Sequence, residues 1–146
     1  KDYIELEKER YGNRIEISFH KEGDTGGIMI APLLFLPFLE NAFKHGTSEQ
    51  LDKPWLSFDL IVKDKLIKCK IVNSKNQQHS MNQQGIGIQN VKKRLSYLYP
   101  DKHGLKINDE HDFFVVSLWI NLESGDQTMG DNEHLTDIAS IEKISI

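Results

Sequence analysis

The sequence predicts an α/β sandwich in which one sheet carries helices on a single face. Three observations predict it. Apolar residues alternate in five short stretches, as half-buried strands do, and recur at helical spacing in three others. Their order is helix, strand, helix, two strands, helix, two strands, which is not the strict βαβ alternation of a doubly wound fold. A chain of 146 residues also fits one domain with a tail to spare, and buries enough surface for a core without staples.

Each element has its own warrant. Residues 1–11 are dense in charge, with Tyr3, Ile4, Leu6 and Tyr11 loosely along one helical face. Residues 14–20 alternate, placing Ile15, Ile17 and Phe19 on one side of a strand, and 21–27 form a glycine-rich connection. The apolar lead-in 28–32 ends in Pro32, a residue suited to a helix start. Residues 33–45 then carry Leu33, Leu36, Leu39 and Phe43 at helical spacing, with Gly46 as the stop. Apolar side chains cover nearly all of this helix, which predicts a place deep in the core. Residues 55–62 and 66–72 are strands of a hairpin around Lys63-Asp64-Lys65. The polar stretch 73–84, rich in Asn and Gln, reads as a mobile loop. Gly85 opens a helix that runs through Val91, Leu95 and Leu98 to Tyr99, where Pro100 ends it. Residues 104–108 and 113–121 are the last two strands. Residues 1–121 are thus read as one domain, and 122–146 as a polar tail, either disordered or a docking segment carrying Leu135, Ile138, Ile141, Ile144 and Ile146.

Composition excludes several classes. A net charge of −4 gives no electrostatic footprint for a phosphate backbone, so nucleic acid is not the expected partner. The longest apolar run, 28–39, is broken by Pro32 and Pro37 and is too short to span a bilayer, so no direct membrane contact is expected. The start has no signal-peptide shape. A lone cysteine, Cys69, reads as a strand residue and excludes an internal disulfide and a cysteine metal cluster. These features predict a reducing, cytoplasmic compartment. The missing initial methionine fits a piece of a longer protein.

Two stretches could carry chemistry. In a helix, Asn41, Lys44 and His45 stand at i, i+3 and i+4 and share a face. An Asn oxygen is a hard ligand suited to Mg²⁺, and a Lys one turn on is a point charge for a phosphate oxygen. The competing reading is that Lys44 and His45 only complement the helix dipole. The second stretch is Gly85-Ile86-Gly87-Ile88, between a polar loop and a helix N-terminus. Amides there form an anion site that glycine lets a phosphate approach, although such a pair can also serve turn geometry alone. It is neither a dinucleotide fingerprint nor a P-loop.

Together the stretches carry a resemblance. Pro37-Phe38-Leu39-Glu40-Asn41-Ala42-Phe43-Lys44-His45-Gly46 resembles the N box of the histidine-kinase ATPase domain. Gly85-Ile86-Gly87-Ile88-Gln89-Asn90-Val91-Lys92-Lys93-Arg94-Leu95, with Tyr97-Leu98-Tyr99-Pro100, resembles the glycine box and following helix of LytS-like bacterial sensor kinases. The likeness covers about residues 1–121. It implies the Bergerat ATP-binding (GHKL, HATPase) fold, a mixed, mainly antiparallel sheet with helices on one face. It implies ATP and Mg²⁺ as ligands, with Asn41 on the metal, Lys44 and His45 on the phosphates, and Gly85, Gly87 and Ile88 at the phosphate tail. It further implies a membrane-anchored parent kinase, a phosphoacceptor and dimerisation domain upstream of Lys1, and a LytTR-type response regulator downstream. This piece would be its cytoplasmic catalytic domain, inactive alone for lack of the acceptor histidine.

The chain departs from the pattern at two places. The adenine box, normally Asp-x-Gly-x-Gly, reads Asn73-Ser74-Lys75-Asn76 here. An Asn oxygen still accepts from an adenine amino group but without charge, which predicts weaker adenine recognition. Hydrolysing members carry a Glu one turn before the metal Asn, where this chain has Pro37, so slow or absent hydrolysis is expected. Glu40 lies roughly 100° around the helix from Asn41 and is kept as a candidate acid–base residue. None of the six histidines sits in an acceptor motif. The alternative reading is a degenerate nucleotide-binding or protein-interaction module of the same fold without kinase activity.

Overall fold

The computed structural model describes residues 2–46, 53–75 and 86–123. Helix α1 (Asp2–Tyr11) leads through a 3-10 turn (Gly12–Arg14) into strand β1 (Glu16–Glu22). Helix α2 (Leu36–Gly46), strands β2 (Trp55–Lys63) and β3 (Leu66–Ser74), helix α3 (Ile86–Leu98) and strands β4 (His103–Asp109) and β5 (Phe113–Asn121) follow. The strands form one mixed sheet in the order β1-β2-β3-β5-β4. Strands β1 and β2 run parallel, and the other described pairs are antiparallel. A parallel pair needs a crossover, which α2 supplies.

Period-2 alternation puts one side of each strand into a shared core. In register across the sheet lie Phe58, Ile71, Val116 and Ile107, and beside them Leu60, Cys69, Leu118 and Leu105. The helices cover this face with Phe38, Leu39, Ala42 and Phe43 of α2 and Ile88, Val91 and Leu95 of α3. Cys69 lies within it, and burial, then the Asp59 carboxylate, hold its thiol well above the ordinary value. The sandwich with helices on one face is the class that the sequence predicts. No helix among the described residues is long and apolar enough to cross a membrane.

Several boundaries differ from expectation for physical reasons. The second helix begins at Leu36, not Leu33, because Leu33 takes φ 59°, which a right-handed helix cannot contain. Pro37 rather than Pro32 is therefore the first-turn proline, and the Phe35 carbonyl accepts from the Phe38 and Leu39 N–H groups at 3.1 Å. Nor is α2 buried all round: Glu40 and Lys44 are exposed. Strand β1 extends to Glu22, into the expected connection, and β3 extends through Asn73 and Ser74, into the expected loop. Asn73 continues the inward series Ile67, Cys69, Ile71, and pairing with Leu56 and Phe114 overrides its low strand propensity. The β2–β3 hairpin closes on two residues, Asp64 and Lys65, both left-handed at φ 47° and 64°, the turn geometry that matches strand twist. Gly85, most of the expected loop and the tail beyond Glu123 lie outside the described residues.

Candidate functional site

Helix α2 is the frame of the site. Asn41 and His45 are half-buried and Lys44 is exposed along the helix, while Ala42 and Phe43 turn into the core. Phe43 is held between two tyrosines of α1, edge-on to Tyr3 at 5.9 Å and stacked on Tyr11 at 6.0 Å. Glu40 is on the α1 side of the helix. Burial first, then Glu7 and Glu40, push the Tyr3 phenol up to about 12. Being exposed, Glu40 needs none of the partners that a carboxylate in an apolar helix would demand.

The C-terminal end of α2 closes on the end of β3. Asn73 is 1% exposed, and its Nδ2 donates to the Ser74 carbonyl at 2.9 Å. The carboxamide oxygen is then the atom with acceptor capacity to offer. The Ser74 hydroxyl accepts from the Trp55 N–H at 3.0 Å and stands 3.3 Å and 3.5 Å from the Trp55 and Gly46 carbonyls. Gly46 makes this approach possible. A Cβ there would stand 3.3 Å from Asn73 Cβ and 3.4 Å from the Ser74 carbonyl oxygen. Its backbone is not left-handed, so it acts by close packing and not as a left-handed helix stop.

At the other end, α3 meets α2 in its first turn. A Cβ on Gly87 would stand 3.5 Å from Pro37 Cβ, an ordinary contact, and Gly87 is not left-handed. Neither turn geometry nor packing among the described residues requires a glycine there. Ile88 turns its side chain into the core. Pro37 is one turn before Asn41, about 6 Å along the axis. The contacts of Gly87 with Pro37 and of Asn73 with Gly46 thus mark the two ends of α2, about 14 Å apart along its axis, with Asn41 between them. Lys44 and His45 stand toward the Asn73 end. After β3, the Lys75 ammonium pairs with Asp109 and the Lys75 backbone N–H donates to the Asp112 carbonyl at 2.9 Å, tying the chain to the β4–β5 turn.

Sequence reasoning missed the roles of Ser74 and Gly46. Carrying the alternation Ile67, Cys69, Ile71 one step further would have brought Asn73 and its neighbour into the strand.

No family model matches the chain. Among solved structures it superposes on the Erythrobacter litoralis blue-light-activated histidine kinase with a TM-score of 0.59 at 14% identity, covering 81% of this chain and 39% of that one. The catalytic domain of histidine kinase ThkA gives 0.53 at 9% identity over 82% and 86% of the two chains. The fold is that of a histidine-kinase catalytic domain. In sequence, the chain is similar to Sensor histidine kinase BtsS of Escherichia coli, 26% identical over 77% of this chain and 20% of that protein. Sensor protein LytS of Staphylococcus saprophyticus is 24% identical over 90% of this chain and 24% of its own length. The chain thus spans about a fifth to a quarter of these curated relatives. In sequence and fold it resembles the catalytic domain of LytS-like sensor histidine kinases.

Proposed function

We propose that the chain is the ATP- and Mg²⁺-binding catalytic domain of a two-component sensor histidine kinase, presenting a γ-phosphate to a histidine on another domain of its parent. The observation that carries this reading is Gly87. A glycine costs up to about 1 kcal/mol against alanine in a helix interior, and less in a first turn such as that of α3. Nothing described in the fold requires that cost, whereas a phosphate drawn onto the first-turn amides of α3 does. The span from Gly87 to Asn73 then suits a nucleotide laid along α2, phosphates toward Gly87 and base toward Asn73.

Asn73 would accept from the adenine amino group through its carboxamide oxygen, since its Nδ2 is committed to Ser74. Gly85 would flank the phosphate tail with Gly87, and the Ile88 amide would add to it. Lys44 would reach a phosphate as a point charge, and His45 would stand nearer the base. Among the described residues no group of three His, Cys, Asp or Glu side chains could hold a metal unaided. A single hard oxygen at Asn41 fits Mg²⁺ that arrives with the nucleotide and keeps its other ligands as phosphate and water. Bound there, Mg²⁺ would neutralise phosphate charge during transfer. The chain's own residues orient the nucleotide, and Glu40, exposed on the α1 side, stands apart as a candidate proton carrier. In this reading the parent is anchored in the inner membrane with this domain on the cytoplasmic side, and a LytTR-type regulator receives the phosphoryl group.

The test is calorimetric titration of a non-hydrolysable ATP analogue with and without Mg²⁺. Binding should depend on Mg²⁺, and Asn41→Ala should weaken it about tenfold, the loss of one charge-assisted contact. Absence of binding at millimolar nucleotide would favour the degenerate-module reading.

A further inference from the structure

The sheet has a second face that no described helix covers. Both tryptophans of the chain lie on it: Trp55, 37% exposed, on β2, and half-buried Trp119 on β5. Trp119 lies over Gly104 of β4, where an added Cβ would come within 2.2 Å of its Nε1. Glycine at 104 thus lets the indole rest on the sheet. In register beside Trp119 come Lys68 and Ile61, and in the next rows Ser117, Lys70 and Asp59, then Val115, Val72 and Ser57. On β2 to β5 this face carries four lysines, Lys63, Lys68, Lys70 and Lys106, against one acid, Asp59. Acid returns at the β1 edge with Glu16 and Glu22.

The rest of the sequence has the complementary character. Residues 124–146 hold five of the 22 acidic residues and one of the 18 basic ones, so residues 1–123 balance and the whole net charge of −4 resides in those 23. Their last twelve include Leu135, Ile138, Ile141, Ile144 and Ile146 with Asp137, Glu142 and Lys143, while Asp126, Asp131 and Glu133 lie in the stretch before them. The chain leaves the fold at the end of β5, between the β2–β3 turn and the start of β4, with Leu122 packed against the core. Leu122 N–H donates to the Lys65 carbonyl at 3.0 Å, and the Lys102 ammonium donates to the Glu123 carbonyl at 2.7 Å. Eleven residues, 124–134, then separate the exit from the first of those aliphatic side chains. Extended, they span up to about 36 Å, against a five-stranded sheet about 20–25 Å across.

We propose that residues 135–146 dock in cis on the open face of the sheet, aliphatic side chains against Trp119, Ile61 and Val72 and acidic ones toward Lys68 and Lys70. The docked segment keeps to β3 and β5, because Glu16 and Glu22 repel it from the β1 edge. This contact is independent of the nucleotide reading, since the candidate site is on the opposite, helix-covered face.

The test uses the whole chain with a nitroxide on Ser140→Cys, Cys69 being buried. Paramagnetic broadening should fall on the amides of Lys68, Lys70, Ser117 and Trp119 and spare those of Val91 to Leu95. It should weaken in high salt and disappear in the Lys68→Glu, Lys70→Glu double variant. Tryptophan emission should shift red in the Ile138→Asp, Ile141→Asp variant. Broadening that is absent, or that falls on the helical face, overturns the proposal. So does broadening that appears only between labelled and unlabelled molecules, which would assign the face to a second copy.

Discussion

Two glycines at opposite ends of α2 behave differently. Gly46 is fixed by its neighbours, because a side chain there would press on Asn73 and the Ser74 carbonyl. Among the described residues, a methyl group on Gly87 would meet only Pro37, at ordinary contact distance. The first glycine serves the fold, joining the helix end to the strand that carries Asn73. The second gives up helix stability without any return from the described fold, which is why it carries the nucleotide reading. In the sequence Gly46 reads as a helix stop, while Gly87 is open to either turn geometry or an approaching phosphate.

The comparison can be broken most severely at the crowded end. Gly46→Val should cost about 2 kcal/mol by overpacking, read as a fall in the denaturation midpoint. A fully stable variant would show that the helix end is not tightly seated on β3. Ser74→Ala should cost about 1–2 kcal/mol, because the Trp55 N–H loses its buried acceptor. That loss should appear in thermal melts, with faster amide exchange at Trp55. A smaller, pH-dependent effect belongs to the α1 side of the helix. The folded state favours the neutral Tyr3 phenol, so its contribution is complete below pH 10 and is lost as pH rises through about 12. Alkaline melting curves should show this slope in the native chain and a flatter one in Tyr3→Phe.

The fold was legible because periodicity and turn chemistry agreed. Phe113–Asn121 alternates cleanly and is a strand over those residues. The hairpin around Asp64 was visible although neither turn residue is glycine. What escaped depended on tertiary context. The φ of Leu33 shortened the helix, and nothing in the local sequence announces a left-handed leucine. Asn73 and Ser74 look like loop residues and become strand because Leu56, Phe114 and Gly46 are waiting for them. The candidate site was legible to the extent that it is helical. Asn41, Lys44 and His45 fall together by spacing alone, whereas the distance from them to Asn73 and Gly87 is set by how α2 lies on the sheet.

The most direct measurement is Gly87→Ala, with thermal stability and affinity for Mg²⁺ and an ATP analogue determined on the same preparation. The account predicts that the two part company: stability unchanged or raised by up to about 1 kcal/mol, since alanine is the better helix former, and affinity down tenfold or more. If affinity is unchanged while stability rises, Gly87 faces no ligand and the nucleotide does not lie along α2 as argued.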